Sequence, residues 1–278
     1  MREIPTLQLG GQPVPVLGQG TWNMGDDPAR RKTEIDALQC GIDLGLSLID
    51  TAEMYGEGES ERLVGEAVKG RRDAVFIVSK AYPQNASRSR LPQACERSLR
   101  NLGTDRIDLY LLHWRGSVPL AETVEAMQAL RQAGKIAHWG VSNLDVDDMA
   151  ELFDAGGAHC ATNQILYNLT RRGPEYDLLP LLAERGIAAM AYSPVEQGRL
   201  KGHATLANIA RRHDASDLQV ALAWVLRRDG VIAIPKAASR AHVEDNAGAL
   251  SLALTQDDLA ELDRAFPPPR SRRPLEML

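Results

Sequence analysis

Eight short apolar runs, at residues 14–17, 46–49, 74–78, 107–112, 136–141, 160–162, 187–191 and 231–234, alternate with longer segments of helical period along the whole chain. The runs are nearly uninterrupted in their apolar character, the pattern of strands buried on both faces, and parallel strands need crossovers of the kind the intervening segments supply. Helices are expected near 28–44, 59–69, 87–101, 119–133, 145–154, 174–185, 216–228 and 240–250, with another at 256–265. Asp27-Pro28 and Ser87 stand near helix starts, and Gly70, Gly103, Gly134 and Gly186 just past helix ends. Eight such units fit a closed (β/α)8 TIM barrel, and 278 residues suit one barrel domain of roughly 250 residues plus decoration. One domain is therefore expected over 1–278. Residues 6–17 read as an N-terminal β-hairpin turning at Gly10-Gly11, and the prolines at 267–269 make 266–278 an extended C-terminal tail on the surface.

Composition narrows the function classes. No apolar run approaches the roughly 18 residues of a membrane span, and MREIPTLQLGG lacks the pattern of a secretory leader. Cys40, Cys95 and Cys160 are odd in number and show no CxxC spacing, which favours free thiols and a cytoplasmic location over a disulfide framework. A net charge of −5 argues against a general nucleic-acid binder. The six histidines form no HxH or HExxH pair, so no metal site is expected. Gly18-Gln-Gly20 lacks the third glycine of a dinucleotide fingerprint, and Gly140-Val-Ser-Asn-Leu144 fails as a nucleophile elbow at its last position. Nothing marks an assembly segment or an obligate protein partner, and a monomer is expected.

In such a barrel the chemistry lies at the C-terminal ends of the strands. Here those ends carry Asp50, Lys80, His113, Ser142 with Asn143, Asn163 with Gln164, Tyr192 with Ser193, and Lys236. Tyr55 follows Asp50 by five residues. A phenol with a pKa near 10 donates a proton poorly at neutral pH unless its phenolate is favoured, and a nearby ammonium would lower that pKa. Asp50 and Lys80 end neighbouring strands, so the carboxylate is expected to hold the lysine charged beside Tyr55, with His113 donating a hydrogen bond to a carbonyl oxygen. Each alone has a bland reading as loop polarity or a surface ion pair; their convergence on one mouth does not.

The segments "GQGTW" at 18–22, "IDTAEMYGEGESE" at 49–61, "VSK" at 78–80, "DLYLLHW" at 108–114, "GKIAHWGVSN" at 134–143, "NQILYN" at 163–168, "AYSP" at 191–194 and "IPKAASRAHVEDN" at 234–246 resemble, in order, the signature segments of the aldo-keto reductases. The resemblance implies a catalytic tetrad of Asp50, Tyr55, Lys80 and His113 with Tyr55 as general acid, acting on a small carbonyl substrate. It implies that Ser142, Asn143 and Gln164 meet a nicotinamide carboxamide and that Tyr192 stacks on its ring. Gly20, Thr21, Trp22 and Asp50 would also line the cofactor, with Ser193, Pro194, Gln197 and Gly198 beside its pyrophosphate. Lys236, Ser239 and His242 would meet the 2′-phosphate, and Asn246 the adenine. Trp22, Met54 and Trp114, with Tyr55 and His113, would wall the substrate pocket. Where members that prefer NADPH commonly carry an arginine this chain has His242, and Ala237 replaces a serine, so NADPH is expected with NADH as the alternative. Some proteins of this resemblance are nicotinamide-binding regulatory subunits, which is the alternative to an enzyme. The short segment 114–119, and the lack of a long excursion after Gly198 or the final helix, predict an open mouth taking small aldehydes or 2-oxoaldehydes such as methylglyoxal.

Overall fold

The computed structural model describes residues 4–278; the first three residues of the segment read above for a leader lie outside the described residues. Strands β1 (Thr6–Leu9) and β2 (Gln12–Pro15) form the antiparallel hairpin. Gly10 and Gly11 make its two-residue turn at φ of 61° and 91°, the positive values that match the twist of the flanking strands.

The barrel strands are β3 (Gln19–Gly20), β4 (Leu48–Asp50), β5 (Phe76–Ala81), β6 (Ile107–Leu112), β7 (Ile136–Ser142), β8 (Thr162–Leu166), β9 (Ala188–Tyr192) and β10 (Val231–Ile234), each parallel to the next. Bridges from Leu17 to Ala233 and from Gly20 to Lys236 bring β3 back against β10 and close the sheet. Closure is tight at Gly20, where a Cβ would stand 2.8 Å from the Ile234 carbonyl oxygen. The helices are α1 (Arg31–Asp43), α2 (Glu59–Ala67), α3 (Leu91–Leu102), α4 (Leu120–Gln132), α5 (Val146–Asp154), α6 (Leu178–Glu184), α7 (Ala204–Arg212), α8 (Asp217–Leu226), α9 (Arg240–Gly248) and α10 (Gln256–Ala265).

Strand alternation splits the core into two shells. Leu48, Val78, Leu109, Leu111, Met190 and Ile232 fill the barrel, and Leu9 and Val14 of the hairpin join them, so the hairpin plugs the N-terminal mouth. Tyr110, Leu112, Trp139 and Ile165 face outward into the helical layer with Leu99, Met127 and Trp224. Each such buried side chain contributes roughly 1.5–3 kcal/mol relative to exposure.

Three elements differ from the sequence reading. The run 14–17 is divided, with Val14 and Pro15 in β2, so the first barrel strand is the two-residue β3. The run 160–162 is displaced: β8 begins at Thr162 and carries the polar Asn163 and Gln164 inside it, where they are fully buried. Helix α7 lies in a polar stretch, and only Leu206, Ile209 and Ala210 give it an inward face. The segment after Phe266 carries no helix or strand and is held to the barrel by ion pairs. Arg272 meets Asp147 at 2.8 Å and Asp177 at 3.2 Å, and Glu276 meets Arg171 at 2.5 Å. These contacts draw the tail across the C-terminal ends of β7 to β9, so the mouth is less open than its short loops imply.

Candidate active site

Phe76 and Val78 face the barrel interior, and Lys80 continues the same face of β5 at its top. Asp50, ending the neighbouring β4, pairs with Val78 in register and so stands beside it. Lys80 is fully buried, and its ammonium donates to Asp50 Oδ2 at 2.8 Å, to the Thr51 carbonyl at 2.8 Å and to Tyr55 Oη at 3.2 Å. An ammonium has three protons and accepts nothing. With all three directed, the Tyr55 hydroxyl proton cannot point back to Lys80 and is left for the mouth.

Tyr55 opens a 3-10 turn, Tyr55–Gly58, in which Gly56 adopts φ 55° and Glu57 φ 51°. Hydroxyls tie this loop down: Thr21 Oγ1 donates to the Asp50 carbonyl at 2.9 Å, and Thr51 Oγ1 donates to Ser60 Oγ at 3.0 Å. The Thr21 side chain therefore belongs to the scaffold that joins β3 to β4.

The electrostatics correct one expectation. Burial holds the Tyr55 pKa above 10.0; Lys80 pulls it down but does not prevail, and Asp50 adds to the rise. The phenol therefore keeps its proton in the free protein. Burial alone would discharge Lys80, yet Asp50 and Tyr55 hold its pKa above the ordinary lysine value. The Asp50 pKa is raised by burial, against the pull of Lys80 and Gln164. His113 is buried, and desolvation followed by the Lys80 charge pushes its pKa down to about 2, so its imidazole is neutral. Its ring lies 5.9 Å from that of Tyr55, edge to face, and 4.9 Å from that of Trp114. Trp114 in turn meets Tyr82 at 6.0 Å, while Met54 is half-buried and Trp22 exposed on the rim.

The opposite side of the mouth is a lattice of amides. Tyr192 Oη donates to Asn143 Oδ1 at 3.0 Å, Asn143 Nδ2 donates to the His113 carbonyl at 3.2 Å, and Ser142 Oγ donates to the Gln164 carbonyl at 2.8 Å. Gln164 Nε2 then reaches across the barrel to Asp50 Oδ1 at 2.7 Å, joining β8 to β4. Sequence reading placed Gln164 only against a cofactor, because register across a closed barrel is invisible in one dimension. The backbone of Leu278 comes close enough to the Tyr192 hydroxyl to favour its phenolate, against the larger effect of burial, so the tail ends near the ring.

The loop after β9 holds Ser193, Glu196 and Gln197 at φ of 47°, 49° and 55°. Its anchor was missed: buried Glu196 accepts from Asn168 Nδ2 at 2.7 Å and from Arg171 at 2.9 Å. Pro194 is buried and Gly198 half-buried in this loop. Beyond β10, Ser239 caps α9 by accepting from the His242 N–H at 3.4 Å, with Asn246 half-buried on the same helix. Burial, and then the Arg30 charge, lowers the Lys236 pKa. Arg30 was also missed, although closure of β3 against β10 makes their following loops neighbours. An aromatic ring, two amides with a hydroxyl, and a cation before a helix N-terminus fit a ligand with an amide-bearing ring at one end and phosphate at the other.

The aldo/keto reductase family model matches residues 16–266, the whole barrel with the site just described. The chain belongs to the aldo/keto reductase family. The match ends where the tail begins. Among aldo/keto reductase relatives, methylglyoxal reductase YeaE of Escherichia coli (strain K12) is 53% identical over 279 residues, covering 98% of each chain. A crystal structure of an aldo/keto reductase from Klebsiella pneumoniae in complex with NADP and acetate superposes with a TM-score of 0.97 at 50% identity, covering 99% of this chain and all of that one. A second structure from Klebsiella pneumoniae, in complex with NADPH, gives the same TM-score of 0.97 and identity of 50%.

Proposed function

We propose that the protein reduces small aldehydes, including 2-oxoaldehydes such as methylglyoxal, to alcohols with NADPH in the cytoplasm. The observation that carries this reading is the saturated Lys80 ammonium, which leaves the Tyr55 proton as the one available to a carbonyl oxygen at the mouth. The similarity to a methylglyoxal reductase and to NADP- and NADPH-bound aldo/keto reductases supports the substrate and cofactor.

When bound, the reduced nicotinamide supplies a hydride. Tyr192 offers a ring face for it, and Ser142, Asn143 and Gln164 offer groups to its carboxamide. Lys236, Ser239 and Arg30 form the phosphate end, with His242 on the same helix start. Neutral His113 has Nδ1 buried without a partner, so Nε2 is the nitrogen that meets and orients the carbonyl oxygen. Tyr55 gives up its proton as negative charge grows on that oxygen, and Lys80 stabilises the phenolate it leaves. Asp50, fixed by Gln164, keeps Lys80 charged throughout. Trp22, Met54 and Trp114 supply the apolar wall.

The test is NADPH oxidation with a panel of small aldehydes by wild type and Tyr55→Phe. Turnover by wild type that falls about 10²–10⁴-fold in the variant, with NADPH binding retained, is the expected result. Undiminished turnover in Tyr55→Phe refutes the proton-donor role, and NADPH binding without turnover on any carbonyl favours a nicotinamide-binding regulatory subunit.

A further inference from the structure

At the end of the barrel opposite the chemistry, a cavity of about 320 Å³ opens between the hairpin turn and the starts of β7 and β8. Its walls are Arg131 from the last turn of α4, His138 of β7, His159 from the segment before β8, and Arg185 just past α6, with Gln8 and the Gly10-Gly11 turn at the rim. No aspartate or glutamate lines it, although the chain carries 37 acidic against 32 basic residues. At this end of the barrel Arg106 is matched to Asp73 and Arg72 to Asp108. Among the described residues neither Arg131 nor Arg185 has a carboxylate within ion-pair distance, and Arg185 rests on the Phe153 ring at 4.8 Å. His138 is half-buried against the turn, since a Cβ at Gly10 would stand 2.2 Å from its Nδ1. Two guanidinium groups without carboxylate partners and two imidazoles line one concavity, a set that suits a tetrahedral dianion, which accepts several charge-assisted hydrogen bonds at once. A cavity this size also leaves room for a short carbon skeleton behind the anionic group.

We propose that this cavity binds a small phosphate ester, at a site separate from the cofactor and substrate mouth. The assay is calorimetric titration with glycerol 3-phosphate, inorganic phosphate and glycerol, run with NADP+ saturating so that the cofactor's own phosphate positions are filled. Wild type is expected to bind glycerol 3-phosphate and to ignore glycerol. Arg131→Ala and Arg185→Ala are each expected to weaken binding about tenfold or more, with unfolding midpoint and aldehyde turnover in the absence of phosphate unchanged. Lys236→Ala, in the cofactor region, is expected to leave the titration unaltered. Phosphate binding that matches the ester assigns recognition to the anion alone; tighter binding of the ester assigns part of it to the cavity walls. Absence of binding by wild type, equal binding by both arginine variants, or loss of binding in Lys236→Ala overturns the proposal.

Discussion

Lys80→Met removes the cation at the centre of the site while nearly preserving its volume. The wild-type pair is dry on both sides, with the Lys80 side chain 0% and the Asp50 side chain 3% exposed at an N···O distance of 2.8 Å. Deleting one partner of such a pair strands the other charge, at a cost of roughly 3–5 kcal/mol, a large share of a typical domain's total stability. Gln164 alone remains to satisfy Asp50, so the carboxyl pKa, already raised by burial, rises further without its ammonium. A carboxyl whose folded-state pKa lies above its unfolded value favours the folded state at low pH, and that contribution is lost as pH rises through the folded pKa. The variant should therefore recover stability relative to wild type as pH is lowered from 8 towards 5, read from urea midpoints. The double variant Asp50→Asn/Lys80→Met removes the stranded charge and should regain most of the loss at pH 8. Neither variant should regain turnover, since the group that pulls the Tyr55 pKa down and receives its phenolate is gone. A Lys80→Met stability within about 1 kcal/mol of wild type, below the range for a broken buried pair, or a deficit independent of pH, refutes the reasoning.

Three other outcomes follow from the same geometry. Lys236→Ala should weaken NADPH binding about 10–100-fold, the range for charged hydrogen bonds, and leave NADH untouched; equal loss for both cofactors sinks the 2′-phosphate assignment. His113, with its pKa pushed down to about 2, is neutral when folded and charged when unfolded below about pH 6.5, so its contribution to stability is lost as pH falls from 6.5 towards 2. His113→Gln should flatten that part of the stability profile, and wild-type kcat/KM should show no imidazole titration between pH 5 and 8. Gln164→Leu should cost about 1–3 kcal/mol in urea unfolding by leaving Asp50 Oδ1 without its donor; a neutral effect means that the link across the barrel is dispensable.

Asp50, Lys80 and His113 were legible because each ends an apolar run, and strand ends in a closed parallel barrel converge. Tyr55 was legible from the spacing after Asp50 and from the resemblance, but its ionisation was not. Its raised pKa depends on how completely the mouth is desolvated, a property of surrounding volume rather than of spacing. Strand β8 was hard to place because its inward positions carry Asn163 and Gln164, whose polarity hides a strand that only long-range hydrogen bonds make tolerable. Helix α7 was missed because three inward residues are a weak periodic signal.

By itself the sequence determined the barrel, its N-terminal hairpin and the identity of the groups at the strand ends, since periodicity and strand-end chemistry are local and one-dimensional. The tertiary structure decided which of those groups share protons and charge. It directs all three Lys80 protons, sets Gln164 against Asp50 from four strands away, brings Arg30 towards Lys236 through barrel closure and lays the tail near Tyr192. Those contacts join residues far apart in the chain, and only the closure and stagger of the strands place them within hydrogen-bond or Coulomb range.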